Sequence, residues 1–357
     1  ASPSKIVIVG VPFVTSLALT ISETLRYRGK IGQWSWVLHR ITGLGTLFFL
    51  FLHVIDTSWA ALYPPSLYNR AISQYQSPLF TFGEFVLVAC VVYHAINGFR
   101  IVLFDWRPQW WKFQARAANI VLGVTLVLLI PTFGLMFAET IRHYTGLATF
   151  NFDTFKLPEI IADNSRFALG IIALLAFGII ASAIYSVIAP GANAPRKALK
   201  RSRFDTFMWM YMRASGVLIL PLVFGHLAMM HVIQGVFNIS VHNYIPIGTT
   251  MINQSGTAVE FVALRWNTMF AGVFVWRVYD ILLLILTIIH GFYGMHYALN
   301  DYIHNALVNR GAQIAIFATV IGLLFVGGIA ILSGVPAETV KMLQQQTAQA
   351  AAQVAVK

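Results

Sequence analysis

His94-Ala-Ile-Asn-Gly98-Phe-Arg100-Ile-Val-Leu-Phe-Asp105 and, far downstream, His290-Gly-Phe-Tyr-Gly294-Met-His296-Tyr-Ala-Leu-Asn-Asp301 decide how this chain is read. In both stretches a Gly follows the His at the fourth place and an Asp at the eleventh, within an apolar run. Residues four apart share one face of a helix, so Gly98 and Gly294 are expected to clear space beside an imidazole for a flat group.

The runs around these stretches fix the class. Of 357 residues, 58% are hydrophobic and only 10% charged, a composition no soluble chain of this length sustains. The chain is read as an all-α, polytopic membrane helical bundle. Its surplus of 24 Lys and Arg over 13 Asp and Glu is assigned to the positive-inside rule rather than to nucleic acid. The single cysteine, Cys90, excludes a disulfide framework and any iron–sulfur cluster held by this chain alone.

Spanning helices are expected at 36–62, 80–104, 117–141, 167–189, 208–233, 278–299 and 312–332. The apolar run 6–22 would make an eighth; a signal peptide is its competing reading. Taking 23–40, 100–116, 190–213 and 300–311 as inside places 15 of the 24 basic residues there, with the densest run at Arg196–Arg203. The expected organisation is an N-terminal apolar segment (1–30), a first repeat (31–145), a linker with an extra transmembrane helix (146–205), a second repeat (206–335) and a tail (336–357), read as a surface helix or disordered.

The repeat rests on more than the two His stretches. Trp36-x3-Arg40-x-Thr42-Gly43 returns as Trp209-x3-Arg213-x-Ser215-Gly216, and a His follows each Arg by 13 residues, at His53 and His226. Each half is thus a three-helix unit. The second carries 23 extra residues between its first and second helices, placed in a loop around 234–270. A parallel repeat needs one more crossing between the halves, which 167–189 supplies.

Buried His in a membrane helix is costly and usually functional. Imidazoles of His94 and His290 facing each other across helices would give a six-coordinate haem iron, suited to electron transfer because no position stays open. Zinc is the rival, but it usually takes four ligands and no such cluster is evident. Arg40, Arg213, Arg100, His296, Asp105, Asp301 and Tyr302 gather at the inner helix ends. Arg and His there suit haem propionates; Tyr and Arg suit a quinone carbonyl, and an Arg–Asp pair suits proton delivery to a reduced quinone.

These motifs carry a resemblance. Trp-Ser-Trp36-Val-Leu-His39-Arg40-Ile-Thr42-Gly43, Phe-Leu-His53 and His94-Ala-x-Asn-Gly98-x-Arg100 resemble the cytochrome b membrane anchor of succinate dehydrogenases, especially the actinobacterial type. Met212-Arg213-Ala-Ser215-Gly216, Gly225-His226-Leu and His290-Gly-x-x-Gly294-Met, with Asp301-Tyr302, resemble the small anchor subunit of the same complex. The likeness covers roughly 30–140 and 205–332, so the two anchors are read as fused in one chain.

The resemblance implies haem b ligated by His94 and His290, with Arg100, His296, His39, Arg213, Gly98 and Gly294 around it. It also implies a quinone, menaquinone in kind, bordered by Arg40, Ser35, Trp36, Asp105, Asp301 and Tyr302. The family's serine before His-Arg falls at Trp36 here, with Ser35 one place off. Implied partners are a flavoprotein and an iron–sulfur subunit on the cytoplasmic side of a bacterial inner membrane. The activity expected is the quinone-reducing end of a respiratory-chain enzyme of the tricarboxylic acid cycle, with a higher oligomer left open.

His53 and His226 are the expected ligands of any second haem. At about 1.5 Å per residue, His53 lies roughly 20 Å from Arg40 and His94 roughly 16 Å from Asp105. If Arg40 and Asp105 are level, the His layers differ by only about 4 Å, which favours one haem. A parallel-repeat transporter and a cytochrome b of another quinone oxidoreductase are the rival functions; the latter places two His on each of two helices, whereas here four helices carry one each.

Overall fold

The computed structural model describes residues 29–75, 78–145, 172–173, 176–188, 202–228, 257–303 and 305–355. The apolar run 6–22, most of the basic run 196–203 and residues 229–256 lie outside them. In chain order the helices are α1 (Ile31–Leu62), α2 (Pro65–Tyr75), α3 (Pro78–Trp106), a 3-10 turn (Pro108–Phe113), α4 (Gln114–Thr145) and α5 (Ala176–Ile188). They continue with α6 (Arg203–Leu227), α7 (Ala258–Asn267), α8 (Val275–Tyr302), α9 (Ala306–Ser333) and α10 (Ala337–Ala355). Among the described residues, α1, α3, α4, α6, α8 and α9 are long and apolar enough to cross a membrane. The protein is a multi-pass membrane helical bundle.

Local chemistry explains the helix ends. Ser202 and Asp205 close α6 with a reciprocal capping box, Asn305 accepts from the Leu307 and Val308 amides at the start of α9, and Gly334 ends α9 at φ 65°. Pro131 sits inside α4 and Pro221 inside α6, as bilayer helices with neighbours tolerate. Of the expected 167–189 crossing, α5 is the continuous helical part described. It lies close on α9: a Cβ on Gly178 would fall 2.2 Å from the Gly311 carbonyl oxygen. Ser182 donates to the Leu307 carbonyl at 2.8 Å and Arg310 to the Ser186 hydroxyl at 3.0 Å.

α1 is the central strut, packed on α3, α4, α8 and α9. Its direction opposes that of α3, so the starts of α1, α6 and α9 and the ends of α3 and α8 share one end of the bundle, here the basic end.

The opposite end departs from expectation. The segment assigned to a loop around 234–270 contains α7, the best-buried short element described, with Val259 at 0% and Ala263 at 1% exposure. α7 carries two charged residues in ten, and both are sequestered: Glu260 accepts from Gln344 at 2.7 Å, and Arg265 pairs with Asp280 at 2.6 Å. α2, also unforeseen, packs on α7, and burial holds the Tyr68 hydroxyl above its usual range. The tail is the helix α10, seated on α7 through buried Leu343. Together α2, α7 and α10 cap this end. A two-stranded hairpin, β1 (Met269–Phe270) and β2 (Val273–Phe274), leads from α7 into α8.

Candidate functional site: two histidine layers and two arginine–aspartate pairs

His94 on α3 and His290 on α8 meet across the bundle, ring centroids 6.4 Å apart and planes at 90°. Both are held by Nδ1. His94 Nδ1 lies 3.0 Å from the His39 backbone carbonyl, an acceptor only, so Nδ1 carries the proton. His290 Nδ1 lies 2.9 Å from the Ser215 hydroxyl. With Nδ1 engaged, Nε2 of each ring is left outside those hydrogen bonds, as in the usual outer-shell arrangement of a metal-bound histidine. Two metal–nitrogen bonds of about 2 Å each, plus the near halves of two rings, span roughly 6 Å.

The glycines beside these rings are not the expected ones. A Cβ on Gly43 would approach His94 Cε1 to 2.7 Å, and one on Gly216 would lie 3.4 Å from His290 Cε1. Gly98 faces His39 instead, and Gly294 faces Met212. The reason is helical geometry: Cα–Cβ bonds tilt toward the helix N-terminus, so His94 leans away from Gly98, and the facing helix must supply the gap. His39 and Met212 are themselves matched, each three residues after its Trp, so the two halves make the same contact.

His39 stacks on His94, centroids 3.9 Å apart and planes at 7°. Its Nδ1 is buried without a partner, as are Nε and Nη1 of Arg100, a residue 8% exposed and six places nearer the basic end than His94. These orphaned donors fit an acidic group such as a haem propionate. His296, matched in sequence to Arg100, is occupied otherwise: Nδ1 contacts Gln313 Oε1 at 2.7 Å and Nε2 contacts Asn300 Nδ2 at 3.1 Å.

A second layer lies beyond. His53 on α1 and His226 on α6 have ring centroids 6.0 Å apart at 81°, and His226 Nδ1 is 4.0 Å from Asp280, which Arg265 and the Trp266 indole also hold. The expected 4 Å offset between layers does not hold. His94 packs beside Gly43, ten residues before His53, and His290 beside Gly216, ten before His226; ten residues are about 15 Å of helix. The assumption that Arg40 and Asp105 share a level was the fault: with His94 beside Gly43, Arg40 lies three residues from that level and Asp105 eleven, about 12 Å apart along the bundle.

The ion pairs at the basic end are exchanged between halves. Arg40 binds Asp301, and Arg213 binds Asp105 through Nε at 3.0 Å and Nη2 at 2.8 Å. Each guanidinium also lies 3.9 Å over the Trp four residues before it, Trp36 and Trp209. Tyr302 joins only the first group, 5.9 Å from Arg40. Asp301 is 53% exposed and Asp105 22%, so the Arg40 group is the more open.

Two assignments change. Ser35, expected at the quinone, is 2% exposed and donates to Asn97 Oδ1 at 2.8 Å, while the Tyr93 hydroxyl donates to Ser35 Oγ at 3.3 Å. Asp105 belongs with Arg213, not with Arg40. Among the described residues no three His, Cys, Asp or Glu side chains gather as a metal site.

The bundle is that of a multi-pass membrane protein whose helices bring two pairs of histidines together. Residues 20–133 match the family of succinate dehydrogenase/fumarate reductase transmembrane subunits, a stretch that takes in α1 to α3 and most of α4. The succinate dehydrogenase 2 membrane subunit SdhC of Mycobacterium tuberculosis is 37% identical over 123 residues, 33% of this chain and 90% of that protein. The succinate dehydrogenase hydrophobic membrane anchor subunit of Halobacterium salinarum is 32% identical over 107 residues, 29% of this chain and 80% of that protein. No solved structure matches. The chain belongs to the succinate dehydrogenase/fumarate reductase transmembrane subunit family.

Proposed function

We propose that this chain is a haem b-carrying membrane anchor of a succinate:quinone oxidoreductase, uniting two anchor units in one polypeptide. The carrying observation is the His94–His290 pair, each ring anchored through Nδ1, flanked by a glycine of the facing helix and leaving Nε2 to ligate. When bound, haem b supplies a one-electron carrier with no open coordination position. Arg100 and His39 would receive its propionates through their unpartnered buried nitrogens.

Quinone is bound at the basic end, where Arg40 and Tyr302 donate to a carbonyl and Trp36 orients the guanidinium. Asp301, 53% exposed, relays protons taken up from water to the reduced ring, while Arg40 stays charged and holds the carboxylate in place. Menaquinone is the proposed species. Electrons enter from an iron–sulfur subunit fed by a flavoprotein, both docked at this end on the cytoplasmic side of a bacterial inner membrane.

His94→Ala and His290→Ala are expected to abolish the low-spin haem spectrum. Full retention in either would remove the ligand assignment, and absence of any Soret band in the purified wild type would favour the transporter reading. A second haem at His53 and His226 is supported by the separation of about 15 Å between layers, room that a 4 Å offset would deny. A pyridine haemochrome ratio near two haems per chain, falling to one in His53→Ala, is expected; a ratio near one, unchanged in that variant, would leave the outer pair structural.

A further inference from the structure

The connection from α3 to α4, Trp106-Arg-Pro-Gln-Trp-Trp-Lys-Phe-Gln-Ala-Arg116, takes no part in either histidine layer or either arginine pair. It joins two spanning helices at the basic end, so it lies at the membrane–water boundary. Its 3-10 turn folds back on α3, with Trp110 and Trp111 set edge-on against Phe104 at 6.4 and 5.3 Å. Between them and the first turns of α4 opens a groove of about 290 Å³, lined by Phe104, Trp110, Phe113, Ala117 and Ile120, with Arg116 as its one charged wall.

Three features define the occupant. The groove runs into the exposed apolar strip of α4 that begins at Ile120, 58% exposed, and continues through Val124 and Val127. Arg107, Lys112 and Arg116 are all exposed, and none forms an ion pair with a described residue. The only acid between positions 100 and 116, Asp105, is taken by Arg213. An apolar slot open to the bilayer, rimmed by unneutralised cations and interfacial tryptophans, matches an acyl chain beneath an anionic headgroup.

We propose that this groove binds one anionic phospholipid, its acyl chain along Phe104, Phe113 and Ile120 and its phosphate between Lys112 and Arg116. An acidic face of a soluble partner would satisfy the cations but would leave the slot without an occupant, so lipid is the better match.

Native mass spectrometry of the full chain in its purified complex, delipidated and titrated with dioleoylphosphatidylglycerol or dioleoylphosphatidylcholine, tests this. One phosphatidylglycerol per chain is expected at concentrations where phosphatidylcholine is not retained. Lys112→Gln combined with Arg116→Gln should weaken phosphatidylglycerol binding about tenfold. Ile120→Trp, which fills the slot without touching charge, should weaken it too; unchanged helicity and melting midpoint show that either variant is folded. Equal retention of both lipids by the wild type, or undiminished binding in both variants, would overturn the proposal. So would retention of phosphatidylglycerol only after the soluble subunits are stripped off and never by the intact complex, which would assign the face to protein docking.

Discussion

Single atoms decide the His94–His290 layer. Gly43 and Gly216 are sequence equivalents but not structural equals: a Cβ would reach 2.7 Å from His94 and 3.4 Å from His290. The first distance is one that packed atoms do not tolerate, and the second is only tight. Gly43→Ala is therefore expected to displace the His94 ring and lose most bound haem, whereas Gly216→Ala should retain it with a perturbed spectrum; the low-spin absorbance per chain measures both. Equal retention in the two variants would contradict the close approach at Gly43. At the basic end, Tyr302→Phe removes one hydroxyl, so quinone reduction should fall with the haem spectrum intact. Normal quinone kinetics in that variant would detach Tyr302 from the site.

At the scale of elements, the six long helices described were legible because about twenty apolar residues cannot be placed elsewhere. The short helices were not. α2 and α7 are polar on average or mixed, and what makes α7 helical is its seat among α1, α2, α8 and α10, information spread over distant sequence. The meeting of His94 and His290 was legible from their paired position, but the glycines beside them lie on the facing helices and stand in the sequence only as repeat markers. Ser35 stands one place off the family's serine, and one place on a helix is a turn of about 100°, which carries it to the buried face of α1 against Asn97.

The cap gives its own test. Arg265, its side chain 4% exposed, neutralises Asp280 at 2.6 Å beside the Trp266 indole. Arg265→Met leaves a buried carboxylate without its cation, and a loss of about 3–5 kcal/mol is expected, read as a lower thermal midpoint in detergent. A shift within error would mean that the cap is not stabilised by this pair.

For the whole molecule, the paired histidine rings and the arginine–aspartate pairs of the basic end each take one residue from each half. His94 meets His290, His53 meets His226, Arg40 meets Asp301 and Arg213 meets Asp105. The α1 strut of the first half also packs on α8 and α9 of the second. Neither half alone then owns a complete layer or a neutralised arginine at the basic end. Exchange of this kind also makes covalent linkage dispensable, because the two units are held by the same contacts that build the site. The chain divided after Gly191, with both pieces produced together, is therefore expected to copurify as a complex with the haem spectrum of the intact protein. Either piece produced alone should show no Soret band. A haem-loaded first half in isolation would refute ligation shared between the halves, and failure of the pieces to associate would show that the connection is needed for assembly.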